Sequence, residues 1–157
     1  MNNPRYKAFI SYSHQDEKWA RWLQSALEGY RVPKRLVGKA GPNGPVPARL
    51  RPVFRDREDL SSASDLTVEL RNVLEQSETL IVVCSPASAA SRWVNEEIRH
   101  FRDSGKGDRI LALVVDGELD SQAGDQGCFP PALLESDDGQ QKEPLAADVR
   151  RYADGKH

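Results

Sequence analysis

Short, nearly unbroken apolar runs alternate along this chain with segments whose apolar residues recur every three or four positions. The runs are rich in β-branched residues and are the length expected of strands buried on both faces. They place strands at Tyr6–Tyr12, Leu50–Phe54, Leu80–Cys84 and Arg109–Val115. Pro52 lacks a donor for a sheet ladder and so puts the second run at a sheet edge or at the strand's start. Ser13-His-Gln-Asp16 has capping-box spacing, with Asp where Glu or Gln is preferred. The helix after it carries Trp19, Trp22, Leu23, Ala26, Leu27 and Tyr30 as one stripe, ends near Gly29, and should bury both tryptophans in the core. A second helix is expected over about 65–76, with Leu66, Leu70, Val73 and Leu74 facing inward. Ser91 is a good N-cap for a third, on which Val94, Ile98 and Phe101 fall at i, i+4 and i+7.

The resulting order, β-α-β-α-β-α-β, calls for a parallel sheet with helices on both faces. A three-layer α/β fold with flavodoxin-like strand order is the expectation, in one domain spanning 1–157 with its core at about 6–116. Residues 31–49 hold four prolines and three glycines, a density that predicts a long surface loop without regular structure. Beyond Asp116 the pattern weakens to a short helix within Cys128–Leu134 and a marginal strand at Leu145–Val149. No closing amphipathic helix follows, which suggests a domain taken from a longer protein.

Composition narrows the function classes. Hydrophobic residues at 38% and charged ones at 29% suit a globular domain. The longest apolar runs are far too short to span a bilayer. Met1 leads into polar residues rather than the basic start and apolar stretch of a secretory signal, so a cytoplasmic location is expected. Cys84 and Cys128 have neither metal-site nor disulfide-framework spacing. Between Arg31 and Arg57 eight Lys/Arg face one acid, whereas from Asp116 onward ten acids face four Lys/Arg. That asymmetry fits a polyanion site or the meeting of opposite surfaces on neighbouring copies. The glycines form no G-x-G-x-x-G and no G-K-[ST] follows them, which excludes a dinucleotide fingerprint and a P-loop.

Chemistry concentrates just past the third strand. Trp93 and Glu97 are i and i+4, so an aromatic plate and a carboxylate lie one above the other where open α/β sheets bind ligands. A lone W-x-x-x-E on a helix usually means a peripheral core ring and a solvated charge. Its surroundings change that weighting. Phe9–Glu17 (FISYSHQDE), Val53–Leu60 (VFRDREDL) and Leu80–Glu97 (LIVVCSPASAASRWVNEE) together resemble a bacterial Toll/interleukin-1 receptor (TIR) domain, over about Tyr6 to Val115.

The resemblance implies two roles: assembly with other TIR domains, and cleavage of NAD+ at the nicotinamide–ribose bond in bacterial defence or signalling. It makes Glu97 the catalytic residue and Trp93 a wall of the pocket. Glu96 points about 100° away around the helix. The resemblance sets Ser11, Tyr12 and Ser13 beside the nucleotide. Arg55 or Arg57 is a candidate to neutralise the pyrophosphate, with Asp56 either beside the ligand or paired with Arg55. It further implies NAD+ as substrate with no cofactor or metal, self-association, and a fused or separate sensor domain; direct nucleic-acid or membrane binding is not expected. The family's mobile assembly loop falls on Arg55–Ser64, where Ser62-Ala63-Ser64 replaces a frequent glycine. The alternatives are a non-catalytic TIR–TIR interaction module, or an effector mimicking host adaptors. A receiver domain shares the strand order but would need an acidic cluster after strand one and an Asp where Cys84-Ser85 stand.

Overall fold

The computed structural model describes residues 5–41, 44–55, 67–119, 126–135 and 145–150 of the chain. Five strands form one sheet: β1 (Tyr6–Ser11), β2 (Val53–Arg55), β3 (Ser77–Cys84), β4 (Ile110–Val114) and β5 (Leu145–Asp148). Their spatial order is β2-β1-β3-β4-β5, with every pairing parallel. This is the flavodoxin-like arrangement expected from the sequence. The chain steps outward from β1 to β2, then returns across it to β3, so the topological switch lies between β1 and β3.

Strand pleating divides the core into two halves, because successive side chains point to opposite faces. On one face Phe9, Leu80, Val82, Cys84, Ala112 and Val114 pack with α2 (Val68–Glu75) and α4 (Arg92–Phe101), through Leu70, Leu74, Val94, Ile98 and Phe101. On the other, Ala8, Ile10, Val53, Val83, Leu113 and Val115 pack against Ala20 and Leu23 of α1 (Glu17–Gly29). The stripe expected for α4 is therefore the one that is buried.

Several elements differ from the expectation. Trp22 is 53% exposed and meets the partly buried Trp19 edge-on at 5.7 Å, so only one of the two tryptophans packs on the core. The helix is turned so that Ala20, Leu23 and Leu27 face the sheet. The 31–49 segment is not structureless but a hairpin-like excursion. An isolated bridge between Arg31 and Arg49 closes its base, and Ala40–Gly41 pairs with Gly44–Pro45 near its tip. Its glycines permit the reversal rather than preventing order: Gly38 and Gly44 have φ of 85° and 108°. Ser85-Pro86 opens a one-turn helix, α3 (Pro86–Ala89), with Ser85 as N-cap and Pro86 at the first position. The marginal last strand is present and pairs with β4, yet all its residues are exposed, Leu145 at 73%. A further single-turn helix, α5 (Pro131–Leu134), packs Ala132 and Leu133 against the α4 side of the core. Asp65 and Leu66, expected on the second helix, lie outside the described residues, and α2 starts instead behind Thr67, whose side chain accepts from Leu70 N.

Among the described residues no helix is long and apolar enough to cross a membrane. The C-terminus of α2 is closed from a distance. Lys106 Nζ donates to the carbonyls of Leu74, Glu75 and Ser77 at 2.9, 2.9 and 2.8 Å while lying 4.4 Å over the Phe101 ring. Replacing it by methionine keeps the packing and removes all three donors. Lys106→Met is expected to cost about 1.5–3 kcal/mol, the scale of hydrogen bonds made by a charged group, read as a lower urea midpoint with unchanged slope.

Candidate active site

Ser11 ends β1, and its parity with Phe9 aims it at the α4 face of the sheet. There its Oγ donates to Glu97 Oε1 at 2.9 Å. Ser11 is fully buried and Glu97 is 3% exposed. The structure thus places a buried carboxyl group at the carboxyl end of β1, beside the topological switch. Trp93 lies one turn earlier on α4, partly buried against the same core. Glu96, the neighbour, pairs with Arg92 at 2.8 Å on the outer face of the helix.

The helix that carries Glu97 is held at several points. Ser91 caps it by accepting from Val94 N at 3.3 Å. Asn95, which the sequence reading overlooked, is buried; its Nδ2 donates to the Ala89 and Ser91 carbonyls and its Oδ1 accepts from Ala132 N at 2.9 Å. Asn95 thereby ties α4 to α3 and α5. No local pattern announces such a residue, because its partners lie outside the helix. Ahead of α4, Ser85 and Ser88 form a reciprocal cap. The Ser85 hydroxyl donates to Asp16 Oδ2 at 2.5 Å. Asp16 is therefore not half of a capping box with Ser13: Ser13 caps a short turn alone, accepting from Gln15 N at 3.4 Å, and Asp16 reaches across to the turn after β3. The S-x-x-S spacing after a strand was the available signal for this α3 cap.

Tyr12 and Arg55 meet on the other face of the sheet from Glu97. Tyr12 and Arg55 belong to the α1 face, since Tyr12 packs with that half of the core and Arg55 lies opposite Ile10 in the ladder. Arg55 is buried. Its Nη1 donates to Tyr12 Oη at 3.2 Å, its Nε to Gln24 Oε1 at 3.0 Å, and it lies 3.6 Å from Glu17. Gln24 in turn donates to the Val53 carbonyl, and Glu28 accepts from Val53 N. This network fastens the edge strand β2 to α1. Asp56 and the rest of the expected assembly loop lie outside the described residues.

The cysteines offer no nucleophile. Both are free and buried; burial pushes the Cys84 thiol far up and the Cys128 thiol up to about 11. Among the described residues no cluster of His, Cys, Asp and Glu could hold a metal ion.

The 2-1-3-4-5 parallel sheet defines a flavodoxin-like domain, with a buried carboxyl group at its switch point and an aromatic ring one helical turn away. The family described as the TIR-like domain of the Thoeris protein ThsB matches residues 9–120, and the chain belongs to it. It is also 38% identical over 137 residues to the protein named NAD(+) hydrolase ApTIR from Actinoplanes sp.. That match covers 82% of this chain and 18% of the relative, so the chain spans under a fifth of that protein's length. Among solved structures it is similar to the TIR domains of the activated Roq1 resistosome that directly recognises the pathogen effector XopQ. The identity there is 19% and the TM-score 0.47, covering 72% of this chain and 59% of that one.

Asp16 supplies a pH prediction. Burial raises its pKa above the ordinary 3.8, against the opposing bond from Ser85, with Asp116 adding to the rise. The folded state therefore holds this proton more tightly than the unfolded chain, and the carboxyl's contribution to stability is lost as pH climbs past 3.8 through the raised value. Asparagine keeps an acceptor for Ser85 without the charge. Asp16→Asn is expected to raise the melting temperature at pH 7 and to have less effect near pH 3.5, measured by thermal denaturation at both.

Proposed function

We propose that this chain is an NAD+ nucleosidase, releasing nicotinamide and either ADP-ribose or a cyclised ADP-ribose. The observation that carries the reading is Glu97, buried at the switch point and bonded to Ser11. The 38% identity to a protein named as an NAD+ hydrolase supports it.

The chemistry follows from the leaving group. When the C–N bond between ribose and nicotinamide breaks, its electron pair goes to the pyridinium nitrogen, and nicotinamide departs neutral without needing an acid. Positive charge develops on the ribose, as in glycoside cleavage. A carboxylate fixed beside that carbon in a water-poor site stabilises the charge. Water then adds and loses a proton to give ADP-ribose, or an adenine nitrogen of the same molecule closes the ring with loss of a proton. One carboxylate can therefore do what ordinary glycosidases divide between two. Trp93 fits the role of a stacking wall for a flat ring. Self-association belongs to the same reading, as does a cytoplasmic site of action.

A second reading, a TIR–TIR interaction module without activity, is favoured by exposed aromatic rings on α1 and just past its end, where Trp22 and Tyr30 are 53% and 51% exposed.

The deciding measurement is nicotinamide release from NAD+ at high protein concentration and on crowded beads, wild type beside Glu97→Gln. Wild type is expected to release nicotinamide, and the variant to be slower by about a hundredfold or more, the scale of losing a preorganised electrostatic group. Equal rates would remove Glu97 from the mechanism. No release by wild type in either format would favour the interaction module. Trp93→Ala is expected to lower activity while leaving the far-ultraviolet circular dichroism intact; global unfolding would mark the ring as core alone.

A further inference from the structure

We infer that Ser11 is a positioning residue for Glu97 and makes no contact with substrate itself. The inference rests on the reading of this site as an NAD+ nucleosidase. The resemblance to the TIR family sets Ser11 beside the nucleotide. The structure assigns its hydroxyl differently. Ser11 is wholly inaccessible, and its single donor is spent on Glu97 Oε1 at 2.9 Å. Its backbone is fixed in the parallel ladder opposite Val82, so the side chain cannot swing outward without breaking the pairing of β1 with β3.

A glutamate side chain has three rotatable bonds and, on a helix, several ways to point. Packing fixes the α4 backbone through Val94, Ile98 and Phe101, but those residues do not determine where the carboxyl group turns. The Ser11 bond holds one of its oxygens, Oε1, in place. It comes from a different element, the strand rather than the helix, and so references the carboxyl group to the sheet on which the ligand cleft is built. Misplacement of a reacting group by about 1 Å can cost on the order of a hundredfold in rate. Tyr12, one residue later, points to the opposite face and joins Arg55, so β1 offers no second donor to this carboxyl group from an adjacent side chain.

The test compares Ser11→Ala, Ser11→Cys and Ser11→Thr by steady-state nicotinamide release. Ser11→Ala is expected to lower kcat by about ten- to a hundredfold with KM for NAD+ within about twofold. Cysteine fills the space but is a weak donor, so Ser11→Cys should fall with alanine, whereas Ser11→Thr keeps the hydroxyl and should recover most of the rate. A raised KM at unchanged kcat would mean that Ser11 touches substrate, and wild-type kinetics for Ser11→Cys would mean that it only fills space; either overturns the inference. Urea denaturation of S11A, E97M and the double variant gives a readout that needs no turnover. The midpoint drop caused by S11A should shrink in the E97M background, and additive drops would overturn the inference even if the wild type cleaves no NAD+. Absent cleavage alone would instead count against the proposed reaction.

Discussion

A carboxyl group inside a protein is costly unless something compensates for the water it has lost. Glu97 sits where that cost is highest, between a helix and a sheet, and the Ser11 hydroxyl is the compensation supplied by the sheet. The rest of the architecture serves this contact. Capping by Ser91, the clasp of Asn95 on Ala132 and the Ser85–Asp16 tie all fix the helix or its approach relative to the strands. None touches the carboxyl group, yet each limits how far α4 can drift from β1.

The second constraint is the two-residue period of β1. It sends Ser11 toward α4 and Tyr12 toward α1, so adjacent residues serve unrelated networks. The α1 network, through Arg55, Gln24 and Glu28, holds the edge strand β2 from which the chain enters the segment read as the assembly loop. One strand end thus carries the carboxyl anchor on one face and the support of β2 on the other. A residue list drawn from a motif cannot separate the two, because spacing along the chain does not record which face a side chain occupies.

Much of the fold was legible for a simple reason. Buried parallel strands must be continuously apolar, and helices that cover them must be apolar every three or four residues, so the succession of strands and helices and the α4 stripe followed from hydrophobicity alone. That Glu97 turns inward on the side of Trp93 while Glu96 turns outward was legible from helical spacing. What could not be read depended on contacts between distant elements. The orientation of α1 was misjudged because Trp19, Trp22 and Tyr30 make a longer stripe than the face that Ala20, Leu23 and Leu27 actually bury. Asn95 and Asp16 took their meaning from Ala132 and Ser85, far off in sequence. The hairpin at 31–49 was hidden because glycine and proline mark both disorder and tight reversal.

The placement of Ser11 also makes this site a gauge of correct folding. Were β1 to shift by a single position against β3, the residue presented to Glu97 would be isoleucine or tyrosine in place of serine. Much of the apolar surface would still find apolar surface, since neighbours in β1 are hydrophobic on both sides. A mispaired chain of this kind could keep its helix content and compactness and still deprive the carboxyl group of the Ser11 hydroxyl. The Ser11–Glu97 bond would then report strand register more sharply than any bulk measure of structure.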